Sequence, residues 1–209
     1  MARLVTVALY HRDNLSEGRS RRIFGYDAYH WGIIVMPETS KGRDCNAYEA
    51  TDSSEIDPIT FRMKNPRMDW WYHEKENINP ELSSKLIGRI VFGQIPEDVL
   101  NPELHEFFIG IPLPVKNTNP QQSCVTWTVN AILALQKKNW AGTFDIEAFK
   151  DWALAYADDR MKGSGSTQLK VVTYCYTEKA QQIVEPNKGA LPTKDLLMTQ
   201  TEHVPGQEP

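Results

Sequence analysis

The spacing of apolar positions changes along this chain, and each change marks an element. Leu4 to Tyr10 is a short run rich in Val and Leu, the composition of a buried strand. The polar, glycine-containing segment from Arg12 to Gly25 reads as a loop. Tyr29 to Met36, largely β-branched or aromatic and stopped by Pro37, predicts a second strand. Cys45 to Thr51 alternates well enough for a third, and the turn-rich Glu38 to Asp44 joins the two as an antiparallel hairpin. Phe61 to Lys64 and Asp69 to Glu74 suggest further short strands, and Leu86 to Ile95 a longer one ended by Pro96. After that the period lengthens. Glu97 to Phe108, with a proline and acids at its start, suits a short helix. Ile109 to Asn119, punctuated by Pro112 and Pro114, is an extended linker. Val125, Val129, Ile132, Leu133 and Leu135 recur at helical spacing, as do Phe149, Trp152, Ala153 and Tyr156 in a helix over Ile146 to Met161, capped by Thr143 or Asp145. Gly163 to Ser166 is a flexible stop, Leu169 to Tyr176 adds an edge strand, and from Glu185 the chain turns polar and proline-containing. The pattern predicts an α+β fold: one domain over residues 1–185, an antiparallel sheet with helices packed on one side, and a polar irregular tail over 186–209.

Within this frame the chemistry gathers at three places. Pro120 restricts Asn119, Ser123 is a suitable N-cap, and Cys124 therefore falls in the first turn of a helix. Unpaired backbone N–H groups and the positive end of the helix dipole favour a thiolate there and can also bind an oxyanion. Against this stands the ordinary behaviour of a free cysteine, a small buried hydrophobe. In the hairpin, a loop centred between Thr39 and Ser40 sets His30 opposite Glu49. A histidine beside a carboxylate is a charge-complementary cross-strand pair and also a way to fix a catalytic imidazole. Asp52 is the second choice of carboxylate if the register shifts. His73 is a rival histidine whose charged neighbours suit a surface site. Trp70, Trp71 and Tyr72 place rings on both sheet faces, so at least one can line a groove.

Composition narrows the function classes. Of 209 residues, 41% are hydrophobic and 10% aromatic, which argues against wholesale disorder; a net charge of −4 provides no general basic surface for nucleic acid. Cys45, Cys124 and Cys175 are an odd, widely spaced set without a CxxC pair, so neither a disulfide framework nor a structural metal is expected. The N-terminal apolar run is too short for a secretory signal, and no later stretch approaches membrane-spanning length. A cytoplasmic protein without stable membrane insertion is expected.

His30-Trp31-Gly32-Ile33-Ile34-Val35, Ala47-Tyr48-Glu49-Ala50 and Ser123-Cys124-Val125-Thr126-Trp127 follow one another in an order that resembles the circularly permuted papain-like group of the NlpC/P60 superfamily. That group includes lecithin:retinol acyltransferase-like acyltransferases and PPPDE-type peptidases. The first motif looks like the acyltransferases' His-Trp-Ala-Ile-Tyr-Val strand, and the last like their Asn-Cys-Glu-His-Phe helix start. Ser123 stands in place of their asparagine, and Glu49 in place of their second histidine. The resemblance covers roughly residues 28–138. It implies a permuted papain-like fold and a Cys124–His30–Glu49 triad acting through a thioester on an amide, peptide or thioester substrate, as hydrolase or acyltransferase, with no cofactor. Gln121 or Gln122 is a second oxyanion donor beside the Cys124 N–H, and Trp31, Trp70, Trp71 and Trp127 are substrate-binding candidates. Expected partners are a small molecule, a peptide or an acyl carrier. The competing expectation is a non-enzymatic binding protein that keeps the scaffold, uses its aromatic cluster for contact and packs Cys124 as a hydrophobe.

Overall fold

The computed structural model describes residues 2–163 and 171–174. Six strands form one sheet: β1 (Arg3–His11), β2 (Tyr29–Pro37), β3 (Cys45–Thr51), β4 (Trp71–Ile78), β5 (Leu86–Ile95) and β6 (Val171–Thr173), in the order β4-β3-β2-β1-β5-β6. All neighbours are antiparallel except β5 and β6, which run parallel, so the sheet is mixed rather than purely antiparallel. The parallel pair arises because the chain crosses over the sheet through three helices before returning beside β5. These are α2 (Asn101–Ile109), α3 (Cys124–Lys137) and α4 (Ile146–Met161); a short α1 (Gly18–Phe24) lies between β1 and β2.

The period of two sorts the strands into two faces. Val5, Val7, Leu9, Tyr29, Trp31, Ile33, Val35, Tyr48 and Ala50 all face the helices. There they pack with Leu104 and Phe108 of α2, Trp127, Ala131, Ile132 and Leu135 of α3, and Phe149, Ala153 and Ala157 of α4. Tyr48 stacks on Phe108 with ring centroids 4.2 Å apart. Two register shifts in the β1–β5 pairing let Ile87, Ile90, Phe92 and Ile95 all reach this core. The opposite face carries a smaller apolar cluster of Leu4, Ala8, Ile34, Met36, Cys45, Ala47, Leu86 and Val91, to which no helix among the described residues contributes.

Several local expectations are revised. Arg12 to Gly25 is a 3-10 turn (Asp13–Ser16) followed by α1, rather than a loop. The bidentate pair from Arg21 to Asp158 of α4, at 2.6 Å through both Nε and Nη2, holds that helix to the body. Phe61 to Lys64 is no strand; a single bridge, Ile56 to Met63, closes a narrow turn there. The strand sought at Asp69 starts at Trp71 and runs on to Ile78, and the helix sought at Glu97 starts at Asn101. The edge strand is described at Val171–Thr173, while residues 164–170, Cys175 and everything after it, the tail from Glu185 included, lie outside the described residues. Among the described residues no helix is long and apolar enough to cross a membrane.

Candidate functional site

Three elements deliver the polar centre. His30 stands near the start of β2 on the face away from the helices, because its neighbours Tyr29 and Trp31 are committed to the core. Glu49 reaches the same face from β3. The hairpin register pairs Ile33 with Tyr48 and Ile34 with Ala47, two residues away from the expected alignment. A slip by two preserves the face, whereas a slip by one would have turned Glu49 into the core. Glu49 therefore stands across from Gly32 and reaches diagonally to His30. Gly32 is what leaves room: a Cβ there would lie 3.2 Å from the Glu49 Cβ and 3.5 Å from its Oε2.

The Glu49 carboxylate is shared. Its Oε2 is 2.9 Å from His30 Nε2 and its Oε1 is 3.0 Å from His73 Nδ1. His73 sits directly opposite Glu49 on β4, turns Nε2 to Glu55 at 3.4 Å, and meets the Trp71 ring in a tilted contact with centroids 4.6 Å apart. The expected surface histidine thus belongs to the site. What sequence reasoning lacked was the β3–β4 register, since a nineteen-residue connection separates the strands. The alternation Trp71-Tyr72-His73-Glu74 could have placed His73 on one face but not beside Glu49. Asp52 lines the adjoining cleft, but Glu49 holds the imidazole.

With Nε2 taken by Glu49, the His30 nitrogen left for the thiol is Nδ1. Burial is the largest single influence on the His30 pKa and pushes it down. The charge and hydrogen bonding of Cys124, then of Glu49, overcome this and raise it to about 10. The same neighbours act on Glu49. Burial favours its neutral form, but the His30 and His73 hydrogen bonds and the nearby Lys75 hold it ionised far below the ordinary carboxylate range. Tyr10, opposite His30 on β1 with ring centroids 5.9 Å apart, is driven to a higher pKa by burial and then by Glu49, which keeps its hydroxyl protonated.

Cys124 is the first residue of α3, and its Sγ lies 4.0 Å from the Tyr29 carbonyl. Ser123 caps the helix: its Oγ accepts from Val125 N at 3.2 Å and donates to Asp27 Oδ1 at 2.5 Å, while its N–H donates to Thr126 Oγ1 at 3.1 Å. The Asp27 link fastens the helix start to the turn just before β2, and so Cys124 to His30. As the first residue of α3, Cys124 has no acceptor for its N–H within the helix, the position an oxyanion donor occupies. The thiol itself is sealed, at 1% exposure.

A cleft of about 870 Å³ opens on the helix-free face, bordered by Tyr10, His30, Glu49, Thr51, Asp52 and Lys75. His30 lines it and Cys124 does not. The glutamines are not gathered at the thiol. Gln121 Nε2 donates to the Gln122 carbonyl, and Gln122 Oε1 accepts from Val115 N, each closing its own loop. Of the tryptophans, Trp31 and Trp127 are wholly buried in the core. Trp70 packs against that same core from its edge. Trp71 supports His73 and donates its Nε1 to the Ser53 carbonyl. Cys45 is an unpaired, buried thiol whose pKa burial raises. Among the described residues no group of three or more His, Cys, Asp or Glu could hold a metal ion.

Fold and site together describe an α+β protein in which a strand histidine is hydrogen-bonded to a carboxylate on the next strand, and a cysteine begins a helix fastened to the turn before that histidine's strand. The chain belongs to DUF6914, a family of unknown function whose model matches residues 2–180. No curated protein and no solved structure matches it.

Proposed function

We propose that this protein is a cysteine-dependent acyl-bond hydrolase or acyltransferase acting on an amide, peptide or thioester through Cys124, His30 and Glu49. The observation that carries this is the His30–Glu49 pair at 2.9 Å, together with the charge and hydrogen bonding by which the helix-start Cys124 raises the His30 pKa. The likeness to permuted papain-like enzymes, on the same three residues in the same order, supports it.

In the first half-reaction His30 takes the thiol proton and Sγ attacks the acyl carbon. The Cys124 N–H and the α3 dipole hold the oxyanion. As the tetrahedral adduct collapses, the bond to the leaving amine, alcohol or thiol breaks and His30 returns the proton to it. In the second, water, an amine or an alcohol attacks the thioester, with His30 now as base and the thiol restored. Glu49 fixes the ring orientation and offsets the charge on the imidazolium. With the thiol 1% exposed, acylation further requires a local opening around Cys124.

Thiol modification against pH tests this in the native protein, His30→Ala and Glu49→Gln. We expect enhanced reactivity near neutral pH, abolished in His30→Ala and weakened less in Glu49→Gln. Intact mass after incubation with acyl and peptide substrates should show an adduct that Cys124→Ala loses. A thiol titrating near ~8.5 in all three proteins, or inert in all, would refute it.

One observation favours a second reading. A sealed thiol beside an open 870 Å³ cleft suits a non-enzymatic protein that binds a small molecule on the helix-free face, with Cys124 as packing. Cys124→Ala would then leave ligand binding intact, and no adduct would form on any substrate.

A further inference from the structure

The Glu49 carboxylate gives each of its oxygens to a different imidazole. His30 on β2 meets Oε2 at 2.9 Å, and His73 on β4 meets Oε1 at 3.0 Å. Orienting His30 needs only the first of these contacts, so the second calls for its own account. The side chains of His30, Glu49 and His73 are 20%, 15% and 12% exposed, which leaves water little access to compete for the two oxygens.

His73 is itself held in place. It lies directly opposite Glu49 in the β3–β4 ladder, and Trp71, whose ring meets its own, is tied to the Ser53 carbonyl through Nε1 at 3.1 Å. Its Nε2 turns to Glu55 at 3.4 Å. The remaining groups around the pair come from three other directions. Lys75 Nζ, on β4, is 3.9 Å from Glu49 Oε1 on a side chain 51% exposed; the Tyr10 ring, on β1, is 5.9 Å from that of His30; and Cys124, on α3, acts on His30 by charge and hydrogen bonding. Among the described residues, His30 and His73 are the side chains within hydrogen-bond distance of this carboxylate.

A carboxylate charge drawn toward two donors holds each of them less firmly than it would hold one alone. We propose that His73 is a positioning residue that divides the Glu49 carboxylate and so keeps His30 from being locked in its charged form. The consequence for chemistry lies in the second half-reaction, where His30 must be neutral to accept a proton from the attacking water, amine or alcohol. That use rests on the acyl-transfer reading above; the division of the carboxylate does not.

Carbon-detected titration of ring-labelled histidines by NMR tests the division in the native protein, His73→Phe and His73→Asn, with the His30 signal assigned by its loss in His30→Ala. Phenylalanine keeps a ring against Trp71 but offers no donor, whereas asparagine keeps an N–H near the place of Nδ1. We expect the His30 midpoint to rise by roughly half a pH unit or more in His73→Phe and to return toward the native value in His73→Asn. A midpoint that His73→Phe leaves unchanged or lowers would overturn the proposal, as would an equal shift in both variants. Release of an acetyl group loaded on Cys124 from p-nitrophenyl acetate reads the consequence: His73→Phe should slow it about threefold at pH 7, the same half unit in rate. Unchanged release despite a shifted His30 would overturn the role in the reaction. A native chain that takes up no acetyl group would count against the acyl-transfer reading, while the NMR midpoints would still decide whether His73 divides the carboxylate.

Discussion

Replacing Glu49 by Gln removes one charge and little volume, and the structure gives both a size and a pH signature for the loss. The carboxylate is 15% exposed and accepts from two rings, at 2.9 and 3.0 Å. A neutral amide can accept from one and must turn its NH2 toward the other. Raising His30 from 6.5 to about 10 corresponds to roughly 5 kcal/mol of preference for the charged ring, with burial opposing and Cys124 contributing before Glu49. Assigning Glu49 under half of that, plus one charge-assisted bond to His73, gives an expected loss of about 2–4 kcal/mol at pH 6. The folded-state pKa of Glu49 is lowered, so its contribution is complete above the unfolded value near ~4.3 and is lost as pH falls through the folded value. His30 is raised, so its contribution is complete below about 6.5 and fades as pH climbs toward about 10. The gap between native and variant should therefore be widest near pH 5–6.5 and narrow on both sides. Urea titrations followed by tryptophan fluorescence at pH 3, 6, 8 and 10 measure it. A difference under ~0.5 kcal/mol, or one that stays flat with pH, would refute the shared-carboxylate argument.

Two further expectations concern the scaffold. Ser123→Ala deletes the cap of α3 and strands Asp27, so stability should fall by about 1–2 kcal/mol while Ser123→Thr retains most of it, as a thermal melt would show; equal melts for both would mean the cap does not hold the helix start. Gly93→Ala would put a Cβ 2.3 Å from the Trp140 carbonyl, whose backbone is tied to Gln94 N, whereas at Gly88 the nearest obstacle is the tip of the Tyr156 side chain. The first substitution should cost more than the second, about 3 kcal/mol or above, in a denaturant comparison; the reverse order would show that the Trp140 turn yields more easily than the Tyr156 ring.

Local pattern determined the elements and much of the site. Ser123 followed by helical spacing put Cys124 at a helix start, because capping and periodicity involve only residues near in sequence. Alternation put His30 and Glu49 on one face, and any even register would have done so. Trp31, put forward as a substrate-binding candidate, is the neighbour of His30 along the strand and points into the core. Tertiary structure decided what local pattern cannot encode. The two-residue shift of the hairpin, and with it the diagonal reach past Gly32, depends on how residues 38–44 turn while β2 also pairs with β1. His73 enters the site because β4 returns beside β3 after a long connection, a pairing set by the sheet as a whole. The polar α1 forms where no apolar stripe announced it, held by the Arg21 pair to a helix 137 residues away. Whether Cys124 is open or sealed depends on what the folded chain lays over it, since burial belongs to all the elements that meet at a residue and not to the residue itself.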